Sequence, residues 1–160
     1  MESRLSLRPL KRTDFDWLHG LYADPELARY MRHGAHTLPE QTMALMERYF
    51  SGDNAAFVLL EKESGKKVGY ISMTESNETP GEYSITIMIE RAFSGKGYAA
   101  EGLRALIDDV RTKGKAALLS AYIIDKNIAS WKTAEKCGFV KVSEFPIQDG
   151  MRLFIYHLKL

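Results

Sequence analysis

One cysteine, no apolar stretch of membrane-spanning length and no excess of either charge: these are what this 160-residue sequence lacks. Cys137 alone cannot form an intramolecular disulfide or a cysteine-based zinc site, and the composition suits a reducing compartment. No run approaches the roughly 20 apolar residues of a spanning helix. The opening Met1-Glu-Ser-Arg-Leu-Ser-Leu-Arg8 lacks the apolar centre of a signal peptide. Lys plus Arg number 22 against 21 Asp plus Glu, a net charge of +1, which argues against a mainly electrostatic binder of nucleic acid or membrane. Repeats and low-complexity tracts are missing as well. Together these absences predict a cytoplasmic protein with a single domain over residues 1–160.

What is present is ordered patterning. Leu5-Ser-Leu-Arg8 alternates up to Pro9 and predicts an edge strand. Residues 14–31 place Phe15, Leu18, Leu21 and Tyr22 at helical spacing, with Asp14 as N-cap and Pro25 dividing the helix in two. Thr37-Leu-Pro-Glu40 reads as a capping box with proline in the first turn of a second helix that stops at Gly52. Ala56–Leu60 and Val68–Met73 read as a hairpin, and Tyr83–Ile89 alternates as a strand. A glycine-containing turn then leads into a helix with Leu103, Leu106, Ile107 and Val110, followed by a strand over 116–124. Asn127–Lys136 is a helix stopped by Gly138, and two strands close the chain. Strands and helices alternate in the second half, which predicts a mixed α+β sheet, partly parallel, with helices on its faces.

Chemistry concentrates in two segments. In Ser94-Gly-Lys-Gly-Tyr-Ala99, glycines one residue apart allow positive φ and close backbone approach, and the next helix begins with unpaired N–H groups and a positive dipole end. Such a turn either merely links strand to helix or forms an anion cradle. It carries no Gly-Lys-Ser/Thr, so it is not a P-loop. In the second segment, Asn127 can cap its helix and Ser130 lies in the first turn.

Strand–Gly-Lys-Gly-Tyr-Ala–helix followed by strand–Asn-x-x-Ser–helix–Lys-x-Gly-Phe resembles the GCN5-related N-acetyltransferase (GNAT) superfamily. Leu7-Arg-Pro-Leu10 with Asp14 is similar to its ribosomal-protein N-terminal acetyltransferase branch. The resemblance implies a six- to seven-stranded sheet splayed at the cofactor strand by a bulge, about four helices, and acetyl-CoA as co-substrate. It places Ser94, Gly95, Lys96, Gly97, Tyr98 and Ala99 at the CoA pyrophosphate. It places Ile87, Met88 and Ile89 beside the pantetheine arm, and Asn127 and Ser130 against CoA. This chain departs from the pattern in three places. Ala92 stands where Gln or Arg is common, Ala134 replaces a frequent catalytic Tyr, and Ser84 and Thr86 replace a frequent Glu or Gly.

Direct acyl transfer needs a base for the amine, a donor for the oxyanion and a proton for the departing thiolate. Ser130 is the candidate acid; the candidate base is Glu82 acting through water, with Glu75 and the pair His33 and His36 as further nominees. Glu75, His33 and Tyr83 are candidate acceptor contacts, and His36 is a second histidine beside the expected cleft. Two histidines without nearby carboxylates predict no metal site. Cys137 ends a helix, where the dipole disfavours a thiolate, so no covalent acetyl-enzyme is expected. The predicted partners are acetyl-CoA and an amine, either a small molecule or a protein N-terminus, with no nucleic acid and no membrane; the chain is a monomer or homodimer. A sensor or interaction module that binds acetyl-CoA without transferring it is the alternative.

Overall fold

Two-residue alternation builds seven strands and helical spacing builds four helices in a computed structural model that describes residues 3–160. β1 (Leu5–Pro9) precedes α1 (Phe15–Ala23) and α2 (Pro39–Tyr49). Then come β2 (Ala55–Glu61), β3 (Lys67–Glu75), β4 (Glu82–Ile89), α3 (Tyr98–Lys113) and β5 (Leu118–Ile124). α4 (Ile128–Lys136), β6 (Val140–Pro146) and β7 (Arg152–Lys159) finish the chain. All seven strands join one sheet in the order β1-β2-β3-β4-β5-β7-β6. β4 and β5 are parallel, joined through α3, and every other neighbouring pair is antiparallel. β6 runs the same way as β5, but β7 lies between them. Among the described residues, no helix is long and apolar enough to cross a membrane.

Alternate strand residues feed two cores. On one face Leu103, Leu106, Ile107 and Val110 of α3 pack on Leu119, Ala121 and Ile123. On the other face Leu18, Leu21, Met46 and Tyr49 of α1 and α2 pack on Val58, Tyr70 and Met88. Burying such side chains fully is worth roughly 1.5–3 kcal/mol each, so these three helices are held by the sheet rather than by helix propensity.

Three local expectations change. Beyond Ala23 the chain makes successive turns to residue 33 instead of resuming a helix after Pro25. The capping carboxamide of α2 belongs to Gln41, one residue after the predicted Glu40. Gln41 Oε1 accepts the N–H groups of Thr37 and Leu38 at 2.8 and 2.9 Å, because Leu38 is the N-cap and Pro39 opens the helix. Asp14 does not cap α1. Its carboxylate is 2% exposed and accepts from both guanidinium Nη atoms of Arg8, from Lys67 Nζ at 2.7 Å and from the Lys11 N–H at 2.8 Å. Asp14 therefore ties β1 and β3 to the start of α1.

Candidate active site

β4 and β5 are paired only at Glu82–Leu118, Tyr83–Leu119 and Ser84–Ser120. Beyond Ser84, β4 stays with β3 and β5 stays with β7, so the sheet opens into a wedge. The expected bulge is absent, since the β3–β4 register runs from Gly69–Ile89 to Glu75–Tyr83 without a shift. Divergence of two half-sheets, each keeping its own twist, replaces it. A cavity of about 380 Å³ fills the wedge, lined by Ile85 to Ile89 on one side and by Ala121, Tyr122 and Ile123 on the other. From Ile85 onward β4 has no strand partner on its β5 side, so its backbone donors and acceptors there are open to an extended ligand.

The N-terminus of α3 stands at one end of this cavity, with Ala99 in its wall. Gly95 and Gly97 have φ of 74° and 84°, the left-handed region, and Gly97 is the N-cap. No side chain caps α3. The Glu101 N–H makes the first intrahelical bond, to Gly97 O at 3.2 Å, which leaves the N–H groups of Gly97, Tyr98, Ala99 and Ala100 without one. This donor array fits a diphosphate. The Tyr98 side chain itself turns away, packing in the core and donating its hydroxyl to Glu61. What Tyr98 presents at the loop is therefore its backbone N–H. Lys96 is exposed at the rim, with Nζ 5.5 Å from the Phe93 ring.

The N-terminal turn of α4 forms the opposite wall through Asn127, Ala129, Ser130, Thr133 and Ala134. Asn127 occupies the N-cap, yet its carboxamide makes no capping bond. The backbone carbonyl accepts from Ser130 and Trp131 N–H instead, and the side chain is left to the cavity. The Ser130 hydroxyl is half-buried there. Asn127 and Ser130 thus meet Ile87, Met88, Ile89 and Ala99 in one cavity, although the chain separates them widely.

The acceptor side differs from expectation. Tyr83 is buried in the α3-side core and lines a second, smaller cavity with Asp53 and Lys113, because its parity in β4 sends it to that face. Glu75 accepts the Gly81 N–H at 3.3 Å and does not reach the wedge. His33 is exposed on the turn segment, while His36 stacks on Tyr22 at 4.4 Å and bonds Thr42 at 2.8 Å. Burial, then His19 and His33, lowers the His36 pKa, which suits a neutral structural ring. The wall near these residues is built instead by Glu26, Leu27, Tyr30 and Met31. Arg91 holds it there, bonding Asp24 at 2.8 and 2.5 Å and Glu26 at 3.0 Å.

Glu82 lies at the closed end of the wedge, where its carboxylate accepts from Ser120 Oγ at 3.2 Å and from Tyr122 at 3.3 Å. Tyr122 does line the cavity. Partial burial and then the Glu82 carboxylate raise its pKa, so it keeps its proton at neutral pH. Cys137 is half-buried with Sγ 3.6 Å from Ala100 O; burial raises its pKa, and it is not part of the cavity wall. Sequence reasoning missed Tyr122, Glu26 and the tethering by Arg91. Only Tyr122 left a signal, the Ser120/Tyr122 polar alternation within an apolar strand.

Known proteins share this fold. The family model of the acetyltransferase (GNAT) domain matches residues 4–140. An uncharacterized N-acetyltransferase p20 of Bacillus licheniformis is 26% identical over 98% of this chain and 92% of its own. The spermidine N(1)-acetyltransferase of Vibrio cholerae is 23% identical over 99% and 96%. A crystal structure of the Vibrio cholerae spermidine N-acetyltransferase in complex with CoA and spermine superposes with a TM-score of 0.84 at 18% identity, covering 98% of this chain and 95% of that one. A GNAT-family acetyltransferase from Bacillus anthracis gives 0.83 at 21% identity, over 99% and 97%.

Proposed function

The chain belongs to the acetyltransferase (GNAT) family and is an acetyl-CoA-dependent N-acetyltransferase; we propose that it works by direct attack in a ternary complex, on the N-terminal amine of a protein or on a small amine. The observation that carries this reading is the single cavity joining an uncapped helix N-terminus, an unpaired strand edge and the Asn127–Ser130 turn. The helix end takes the diphosphate, and the open edge of β4 takes the pantetheine amides as a missing strand. Both reactants then meet where the strands part, in near-attack geometry.

A neutral amine attacks the thioester carbonyl carbon, and its lone pair forms the new C–N bond. The oxyanion is met by an open β4 N–H, and the C–S bond breaks as the intermediate collapses. Glu82 takes the amine proton through water or the Tyr122 hydroxyl that it already binds. Ser130 hydrogen-bonds the leaving thiolate and relays to it a proton from solvent, ending neutral itself, the role left open by alanine at 134. Accordingly, Ser130→Ala should lower kcat about a hundredfold while changing the KM for acetyl-CoA little, as measured by steady-state thiol release.

The acceptor cavity holds one carboxylate, Glu26, already bound to Arg91, among the apolar side chains of Leu27, Met31 and Ile85. That environment supports an amine carried on a partly apolar body. The test has two parts. CoA at about 100 times its Kd should stabilise the fold by about 2.7 kcal/mol in a thermal melt. Thiol release should then appear with at least one member of a panel of N-terminal peptides, polyamines and aminoglycosides. Absence of the thermal shift overturns the cradle; a shift with no turnover across the panel overturns the acceptor reading.

A further inference from the structure

Arg4 lies 92 residues before Lys96 in the sequence, yet it touches the glycine loop at several points. We propose that Arg4 is a positioning residue that fixes the Gly95–Gly97 loop in its anion-receiving shape. This rests on the reading of that loop as the diphosphate cradle.

The guanidinium makes three contacts around Gly97. Nη2 donates to the Lys96 carbonyl at 2.8 Å, Nε donates to Glu101 at 2.9 Å, and the group sits 4.2 Å over the centroid of the Tyr98 ring. Its backbone is anchored as firmly. The Arg4 N–H donates to Glu101 at 2.9 Å, and the Arg4 carbonyl accepts the Lys62 N–H at 2.8 Å. Tyr98 is held from two further directions, by its bond to Glu61 and by Phe93 packed edge-on at 6.1 Å. The start of β1 and the end of β2 therefore strap both flanks of Gly97.

The peptide between Lys96 and Gly97 explains why a strap is needed. A peptide unit is planar and trans, so its carbonyl and its N–H point to opposite sides. Gly95 and Gly97 flank that region at φ of 74° and 84°. Glycine gives little resistance to reorientation there. Were this unit to flip, a carbonyl oxygen would face the phosphates and a donor would be lost. Arg4 captures the Lys96 oxygen and commits the Gly97 N–H to the other side. Glu101 and Glu61 balance the Arg4 charge locally, so its part is geometric rather than long-range attraction.

The experiment measures the Kd for CoA by calorimetry, with melting temperature and steady-state kinetics, in wild type, Arg4→Ala, Arg4→Gln and Arg4→Lys. Arg4→Ala should weaken CoA about tenfold and raise the KM for acetyl-CoA by the same factor, with kcat and the acceptor KM within about twofold. Arg4→Lys and Arg4→Gln, each able to donate to the Lys96 carbonyl, should recover part of the loss. The loss should persist at high salt, since a fixed peptide plane is not screened as a distant charge is. Wild-type CoA affinity in Arg4→Ala overturns the proposal, and so does a loss that disappears with added salt. If Arg4→Ala does not fold, equal affinity of wild type and Arg4→Gln at low salt together with no affinity difference for Arg4→Lys overturns it. Failure of the wild type itself to bind CoA removes the cradle reading, and the Arg4 role with it; normal wild-type binding with an indifferent Arg4→Ala removes the Arg4 role alone.

Discussion

Gly97→Val should abolish the CoA-induced thermal shift and weaken CoA binding by at least about a hundredfold. Gly97 is the N-cap of α3 at φ of 84°, where a β-branched residue is strongly disfavoured. Its added Cβ would lie 3.5 Å from Arg4 Nη2, and the branching methyls would crowd both the strap and the donors beyond it. The backbone would relax by rotating the peptide that carries the Gly97 N–H, which spoils the array. Gly114→Val separates strain from binding. Gly114 ends the same helix at φ of 68°, with open space around its Cβ. It should lower the melting temperature as Gly97→Val does, while CoA affinity stays at the wild-type value. Calorimetric titration of both variants with CoA is the measurement; equal affinities in the two would show that the loop is only a turn.

Asp14→Ala should cost about 3–5 kcal/mol, because it leaves Arg8 and Lys67 facing a buried site without their anion. In a chain of this size that is a drop of roughly 10 °C in melting temperature. Burial by itself would raise the Asp14 pKa. The bonds from Arg8 and Lys67, with the Lys11 N–H, outweigh burial and hold the carboxyl well below the usual range. A carboxylate with a depressed folded pKa stabilises fully above its unfolded value, near ~3.9, and the contribution fades as pH falls toward the folded value. Denaturant titrations should therefore show wild type losing stability below about pH 4, with Asp14→Asn less stable at neutral pH and lacking that component of the acid limb.

Local patterning carried most of the architecture. The alternation of residues 83–89 and the helical spacing of Leu103, Leu106, Ile107 and Val110 each sufficed to identify an element. What alternation cannot say is which face of a strand meets which neighbour. Tyr83 and Tyr122 are both strand tyrosines, and only the packing of α3 sends the first into the core and leaves the second at the cavity. The Gly-Lys-Gly turn was visible because glycine pairs are rare inside such patterns, whereas Arg4 was hidden because its partner lies 92 residues away. Asn127 and Asp14 misled for one shared reason. Each stands at a helix start where a capping residue belongs, but neither side chain caps: Asp14 is taken up by Arg8, Lys67 and the Lys11 N–H, and Asn127 lines the cavity.

The seam between β4 and β5 has a mechanical consequence. Three residue pairs join two half-sheets that are each continuous on their own side. Such a body behaves as two plates sharing a short hinge line, with α3 crossing from one plate to the other. A pantetheine arm laid along β4 would act as a wedge-shaped spacer, fixing the angle between the plates. The walls given by β4 and by α4 belong to different plates. The coenzyme that brings the acetyl group would then also set the width of the gap in which the amine must fit.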